Sequence, residues 1–231
     1  MQLYKFMSLQ LFERVADALL GRRLYCPKPE QLNDPLEGMQ GHHAEGAEAG
    51  KSLDDQLRAG LLSMVETNRD LARARVCCFS ARPDSMQMWS YYAGGHKGLC
   101  LEVDVSGFES SIVKVEYVDD SASLRAKSPV ERLAFKHSTW RHEQEYRLIT
   151  IDETEREFLP IKINSVLISS STDTSFLLPL FELCRHLGVS REIATFSTLG
   201  EFTRLPLRSD VPFQERLHAE GTNSLLKKQP N

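Results

Sequence analysis

The apolar residues of this chain fall in short runs bounded by turn-forming residues, and none approaches the roughly 20 residues that a membrane-spanning helix requires. Short runs with alternating burial are strands, and strands must pair into a sheet. Leu3–Phe6, Arg23–Cys26 and Val76–Ser80 read this way in the first half, the last as a buried strand. Gly98–Val103, Ile112–Val118, Tyr146–Ile151, Val166–Ser170, Ile193–Phe196 and Phe202–Leu207 follow, with the first two of these expected to be neighbours.

Helical spacing appears between them. Ser8–Leu20 carries apolar residues at Leu11, Val15, Ala18 and Leu19 before a stop at Gly21. A capping signal at Ser52 opens a helix through Leu53, Leu57 and Leu61 to about Ala74. Asp84-Ser85-Met86-Gln87 caps a helix that Gly94-Gly95 ends, and Ser128-Pro129-Val130-Glu131 starts one expected to reach about His137. Phe176–His186, closed by Gly188, is the last, with Pro179 inside it. Strands gather in the second half and helices in the first. The expected class is therefore α+β, a single domain over 1–208 with a mixed, mostly antiparallel sheet, followed by a loosely attached polar tail over 209–231.

Composition removes several function classes. With 231 residues, 41% hydrophobic and 26% charged, the chain has the make-up of a globular domain and not of a disordered one. A formal charge of -4 gives no general attraction for nucleic acid. Five cysteines, an odd number without a C-x-x-C pair, argue against a disulfide framework and a thiolate zinc site. Met1–Phe6 leads into a polar helix rather than a signal-peptide core, so a cytoplasmic chain that does not engage a membrane is expected. No metal is expected either, since His42-His43 lacks an obvious third ligand.

Four clusters concentrate polar and aromatic residues. Asn33-Asp34-Pro35 with Glu37 is a rigid turn or a loop presenting Asn33 and Asp34 to a ligand. Ser80 ends the Cys77-Cys78-Phe79-Ser80 strand, where a strand terminus can open on a pocket. Met88, Tyr91 and Tyr92 share one helical face beside Trp89, which is either core or a wall for a planar ring, and the two glycines and His96-Lys97 follow. In Trp140–Ile149, a strand starting by Glu143 places Glu143, Glu145 and Arg147 on one face, either as an exposed charge ladder or as carboxylates set to stabilise positive charge.

Tyr4-Lys5-Phe6, Asn33-Asp34-Pro35 with Glu37, Cys78-Phe79-Ser80, Met88-Trp89 with Tyr92-Ala93 and His96-Lys97-Gly98, and Trp140 with Glu143, Glu145 and Arg147, in this order, resemble the bacterial domain-of-unknown-function family 2971 over about residues 2–170. A second resemblance is to the ADP-ribosyltransferase fold, on Tyr4-Lys5, Ser80 with Tyr91 or Tyr92, and Glu143-Gln144-Glu145. The first strand departs from that group, having neither its usual Arg nor its usual His. This resemblance implies NAD as substrate, Glu145 and Glu143 as catalytic residues, and Tyr4, Lys5, Ser80, Tyr91 and Tyr92 around the nucleotide, while the order of the clusters adds Asn33, Asp34, His96 and Arg147 to the same site. It implies an ADP-ribosyltransferase or NAD glycohydrolase acting as a bacterial toxin or antiviral defence effector, with a protein or nucleic-acid acceptor.

The residue types suit such chemistry independently of family. Cleaving the nicotinamide–ribose bond passes through an oxocarbenium-like state, which a fixed carboxylate stabilises as charge develops. Glu145, deeper in the expected strand, is assigned to the ribose, and Glu143 at its entrance to water or an acceptor. Two other readings compete: a metal-dependent nuclease using Asp34, Glu102, Glu143 or Glu145 with Lys97 or Lys136, and a non-catalytic nucleotide- or peptide-binding module anchored on the Trp and Tyr cluster.

Overall fold

The computed structural model describes residues 1–34, 58, 70–120, 127–151 and 157–207. Pro35 to Glu37, the Gly-rich stretch with His42-His43, most of the helix begun at Ser52 and the tail from 209 lie outside the described residues. In chain order the elements are β1 (Gln2–Met7), α1 (Phe12–Gly21), β2 (Arg23–Tyr25), β3 (Ala74–Ser80), α2 (Met86–Tyr92), β4 (Leu99–Asp104), β5 (Ile112–Lys114) and β6 (Glu116–Val118). Then come α3 (Pro129–Arg132), β7 (Phe135–His137), a 3-10 turn over Ser138–Glu143, β8 (Glu145–Ile151), β9 (Phe158–Pro160), β10 (Lys162–Ser169), α4 (Thr174–His186), β11 (Ser190–Phe196) and β12 (Phe202–Pro206).

Among the described residues eight strands form one sheet in the order β12-β11-β10-β4-β1-β3-β8-β5. Its pairings are antiparallel except β10 with β11, so the α+β class with a mixed, mostly antiparallel sheet holds. Among the described residues no helix is long and apolar enough to cross a membrane.

Strand alternation gives the sheet two unlike faces. One is apolar: Leu3, Cys77, Phe79, Leu99, Leu101, Val103, Leu148, Val166 and Ile168 meet Val15, Ala18 and Leu19 of α1 and Leu177, Leu180, Phe181 and Cys184 of α4. The helices cover this face because each is amphipathic. The other carries two smaller apolar clusters, Phe6, Met88, Trp89, Cys100 and Leu167 under α2, and Ala74, Val76 and Leu133 at the far side. Between them lies a band of buried polar residues.

Several expectations need correction. Ile112–Val118 is not one strand: the chain switches sheets at Val115, whose N–H donates to Glu145 O at 2.9 Å while Glu116 N–H donates to Ala134 O at 2.9 Å. β5 sits at the sheet edge beside β8, away from β4. The helix from Ser128 ends at Arg132 instead of His137, because Phe135–His137 pairs in parallel with β6. The capping box at Ser128 was legible; the strand pairing that stops the helix is long-range. At the end of α1 the left-handed cap is Arg22, with φ 48, and not Gly21. Pro179 sits within α4, whose N-cap is Asp173.

Candidate functional site

The pairing registers build a transverse row across the polar band. Glu145 of β8 is the partner of Ser80 of β3, Ser80 of Tyr4 of β1, Tyr4 of Glu102 of β4, and Glu102 of Ser165 of β10. Directly opposed residues put their side chains on the same face, so these five stand in line on the side that α2 partly covers. Lys5 does not join them. As the strand neighbour of Tyr4 it points to the opposite face, where its Nζ donates to Cys78 O at 2.9 Å.

At the β8 end, Glu143 and Glu145 share one ammonium. Lys136 Nζ lies 2.6 Å from Glu143 Oε2 and 3.4 Å from Glu145 Oε2, with all three side chains buried. Strand alternation does not achieve this, because β8 begins only at Glu145 and Glu143 closes the preceding 3-10 turn. Gln144 between them adopts φ 43, a left-handed conformation uncommon outside glycine, and that turn brings both carboxylates to Lys136. The end of β3 holds the turn: Ser80 Oγ donates to Glu143 O at 2.8 Å and Ala81 N–H to Gln144 O at 3.0 Å.

Their remaining partners differ. Glu145 Oε1 accepts from Arg147 Nε at 2.8 Å and Oε2 from Arg147 Nη2 at 2.9 Å, while its backbone N–H donates to Tyr117 Oη at 2.8 Å. Three charged N–H donors, two from Arg147 and one from Lys136, thus converge on its two oxygens. A carboxylate offers about four lone-pair sites, so most of the accepting capacity of Glu145 is used by cations. Burial pushes its pKa up, but Arg147 and Lys136 outweigh that and hold it down at about 2. Glu143 accepts from Lys136 through Oε2 and from the Tyr92 hydroxyl through Oε1. Burial raises its pKa, and the attraction and hydrogen bonds of Lys136 and Tyr92 only partly offset this. The two glutamates are thus driven in opposite directions.

Asn33 Nδ2 donates to Tyr92 Oη, which ties the Asn33-Asp34 turn to α2 and through it to Glu143. Asp34 is buried at the same turn. Burial and the charge of Glu143 push the Tyr92 hydroxyl pKa up, so it stays protonated and donates. Of the three residues expected on one face, Tyr92 packs with Met88 in the cluster under α2, whereas Tyr91 turns away and is 63% exposed. Tyr91 meets His142 instead. His96 sits apart, in a left-handed conformation with its ring on Phe196 at the cluster under α2.

Toward the other end of the row, Arg204 Nη2 lies 2.7 Å from Glu102 Oε2, 2.6 Å from Glu192 Oε1 and 3.3 Å from Ser165 Oγ. Burial and Glu102 raise the pKa of Tyr4 beside them. Sequence reasoning missed Arg204, Glu192, Ser165 and Tyr117, and it gave Lys136 only to the nuclease reading. The three-residue strands β6 and β7 that place Tyr117 and Lys136 are too short to carry a periodic signal. Among the described residues no group of three or more His, Cys, Asp or Glu could hold a metal ion. Comparison with family models, curated proteins and solved structures returns no match for this chain.

Proposed function

We propose that this chain is an NAD-consuming enzyme, a glycohydrolase or ADP-ribosyltransferase, whose chemistry runs at Glu143 with Glu145, Lys136 and Arg147 as its fixed electrostatic frame. The observation that carries this reading is the alignment of Tyr4, Ser80 and Glu145 on three adjacent strands with Glu143 on the same lysine. That is the order of polar, hydroxyl and acidic residues on which the ADP-ribosyltransferase resemblance rests.

In the reaction, the C1′–N bond to nicotinamide breaks and its electron pair leaves on the ring nitrogen. Water or an acceptor nucleophile then bonds to C1′ and releases a proton. A carboxylate near C1′ gains interaction as positive charge develops there. Glu145 accepts three side-chain hydrogen bonds from two cations and Glu143 accepts two, from one cation and a hydroxyl, so the substrate-facing role falls to Glu143 rather than to Glu145, where the sequence put it. Desolvation makes Glu143 a stronger base, and a buried carboxylate regains the most when a cation forms beside it. Arg147 and Lys136 are positioning residues that act through the two glutamates.

The test is nicotinamide release from NAD by the purified full chain, its Glu143→Gln and Glu145→Gln variants, with circular dichroism to follow folding. Glu143→Gln is expected to lower kcat by roughly 100-fold, about 2.7 kcal/mol, with the fold kept and KM little changed. Absence of release by wild type with protein and nucleic-acid acceptors present, or a Glu143→Gln variant as active as wild type, overturns the reading. The binding-module reading would then be preferred, since the buried charges of this network satisfy one another.

A further inference from the structure

Next to Glu143 stands a group that the proposed chemistry leaves unused. His142 Nδ1 lies 3.1 Å from the carbonyl oxygen of Thr139. A carbonyl can only accept, so Nδ1 carries a ring proton, and in the neutral ring Nε2 is left as an acceptor. Nε2 is buried and, among the described residues, has no hydrogen-bond partner. A desolvated acceptor without a donor is unfavourable, and native proteins leave few of them.

The surroundings of that atom are aromatic. The His142 ring has the Tyr91 ring at 5.7 Å, inclined by 66°, and the Trp140 ring at 6.0 Å, inclined by 33°. Lys136 Nζ sits 4.7 Å from the Trp140 ring centroid, so the ammonium that holds both glutamates also fixes this indole. Trp140 and His142 are half-buried, and Tyr91 is 63% exposed at the last turn of α2. A ring entering there meets two aromatic faces and one bare acceptor, within one residue of Glu143.

We infer that Tyr91, His142 and Trp140 form a subsite for a planar heteroaromatic ring that donates one N–H to His142 Nε2. Offset contact with the rings supplies the stacking, and the N–H supplies the selectivity. Rings of this chemistry come from two sources beside an NAD-cleaving carboxylate: the carboxamide of the departing nicotinamide, or the lactam N–H of a nucleobase acceptor. The subsite follows from the geometry alone, and only the source assignment rests on the NAD reading.

The experiment measures binding and not turnover. Nicotinamide and uridine are titrated separately into the full chain by calorimetry, each against its N-methylated analogue, N,N-dimethylnicotinamide and 3-methyluridine. At least one N–H ligand is expected to bind, with its methylated analogue at least tenfold weaker. His142→Phe, which keeps a ring and removes the acceptor, is expected to weaken that ligand at least tenfold, and Tyr91→Ala, at an exposed position, to weaken it while the fold is kept. Nicotinamide binding assigns the leaving group, and uridine binding assigns the acceptor. The inference is overturned if neither ligand binds wild type, if the methylated analogues bind equally well, or if both variants keep wild-type affinity. Ring binding that needs His142 without any NAD cleavage removes the functional reading and leaves the subsite; Glu143-dependent cleavage with ring affinity indifferent to His142 does the reverse.

Discussion

Glu143 and Glu145 are two residues apart and chemically identical, yet their surroundings give them opposite titration behaviour. A carboxylate held below its ordinary value contributes stability that is complete above the unfolded pKa and is lost as pH falls toward the folded one. For Glu145 the interval runs from 4.5 down to about 2. At about 1.4 kcal/mol per pH unit this amounts to about 3 kcal/mol. Glu143, whose folded pKa is raised, has the other sign: its contribution is complete below the unfolded value and fades as pH rises through the folded one. Urea unfolding of wild type and Glu145→Gln should therefore show a stability difference that is at full size from about pH 5 upward and shrinks toward pH 2. A difference constant across that range would mean that Arg147 and Lys136 do not hold Glu145 ionised. The sequence announced that these two carboxylates belong together, but it gave the wrong reason. A strand starting by Glu143 was to align them, whereas the left-handed Gln144 does so, and nothing in a glutamine signals φ 43.

At the level of elements, what was legible is what is local. Ser85 caps α2 through Met88 N–H at 3.3 Å, and Ser128 with Glu131 forms the capping box of α3, both readable from residue types a few positions apart. What was not legible depends on partners far along the chain, as with β6 and β7, or on close backbone approach. Gly98 illustrates the second case. It follows the left-handed Gly94-Gly95-His96 exit from α2 and leads into β4, and a Cβ there would lie 2.3 Å from Met7 O and 2.7 Å from Ala93 O. Both obstacles are backbone, so neither can swing aside. Gly98→Ala should force β4 away from the end of β1, at a cost of about 3 kcal/mol or more, comparable with severe overpacking of a core. Gly95→Ala, where a Cβ would meet nothing within 4 Å, should cost only the strain of its φ of 68, on the order of 1 kcal/mol. Thermal or urea midpoints rank the two, and equal losses would sink the argument that α2 is fixed to β4 by backbone contact.

Across the whole molecule, the helix-covered face supplies the continuous apolar core, while the polar band on the other face links the strands through charged and hydroxyl side chains. Arg204 shows how. From β12 at the sheet edge it reaches Glu192 on β11, Ser165 on β10 and Glu102 on β4, crossing four strands with one guanidinium. The edge is also held by the antiparallel β11–β12 and parallel β10–β11 ladders, by Phe196 packed on Phe202, and by Arg191, whose Nη1 donates to Phe181 O at 2.8 Å on the opposite side. Removing Arg204 leaves Glu102, 8% exposed, as a buried carboxylate without its counter-charge. A loss of about 2 kcal/mol is expected, less than for a fully buried pair because the Arg204 side chain is 30% exposed. The distribution of the effect is more telling than its size. In Arg204→Met, amide exchange should accelerate in β12 and β11 while β1, β3 and β8 keep their protection, because the Glu143–Lys136–Glu145 network at the other end of the row is untouched. Nicotinamide release, where present, should fall far less than in Glu143→Gln. Acceleration spread evenly over all eight strands would instead mean that the row acts as one cooperative unit, with the arginine end and the glutamate end unfolding together.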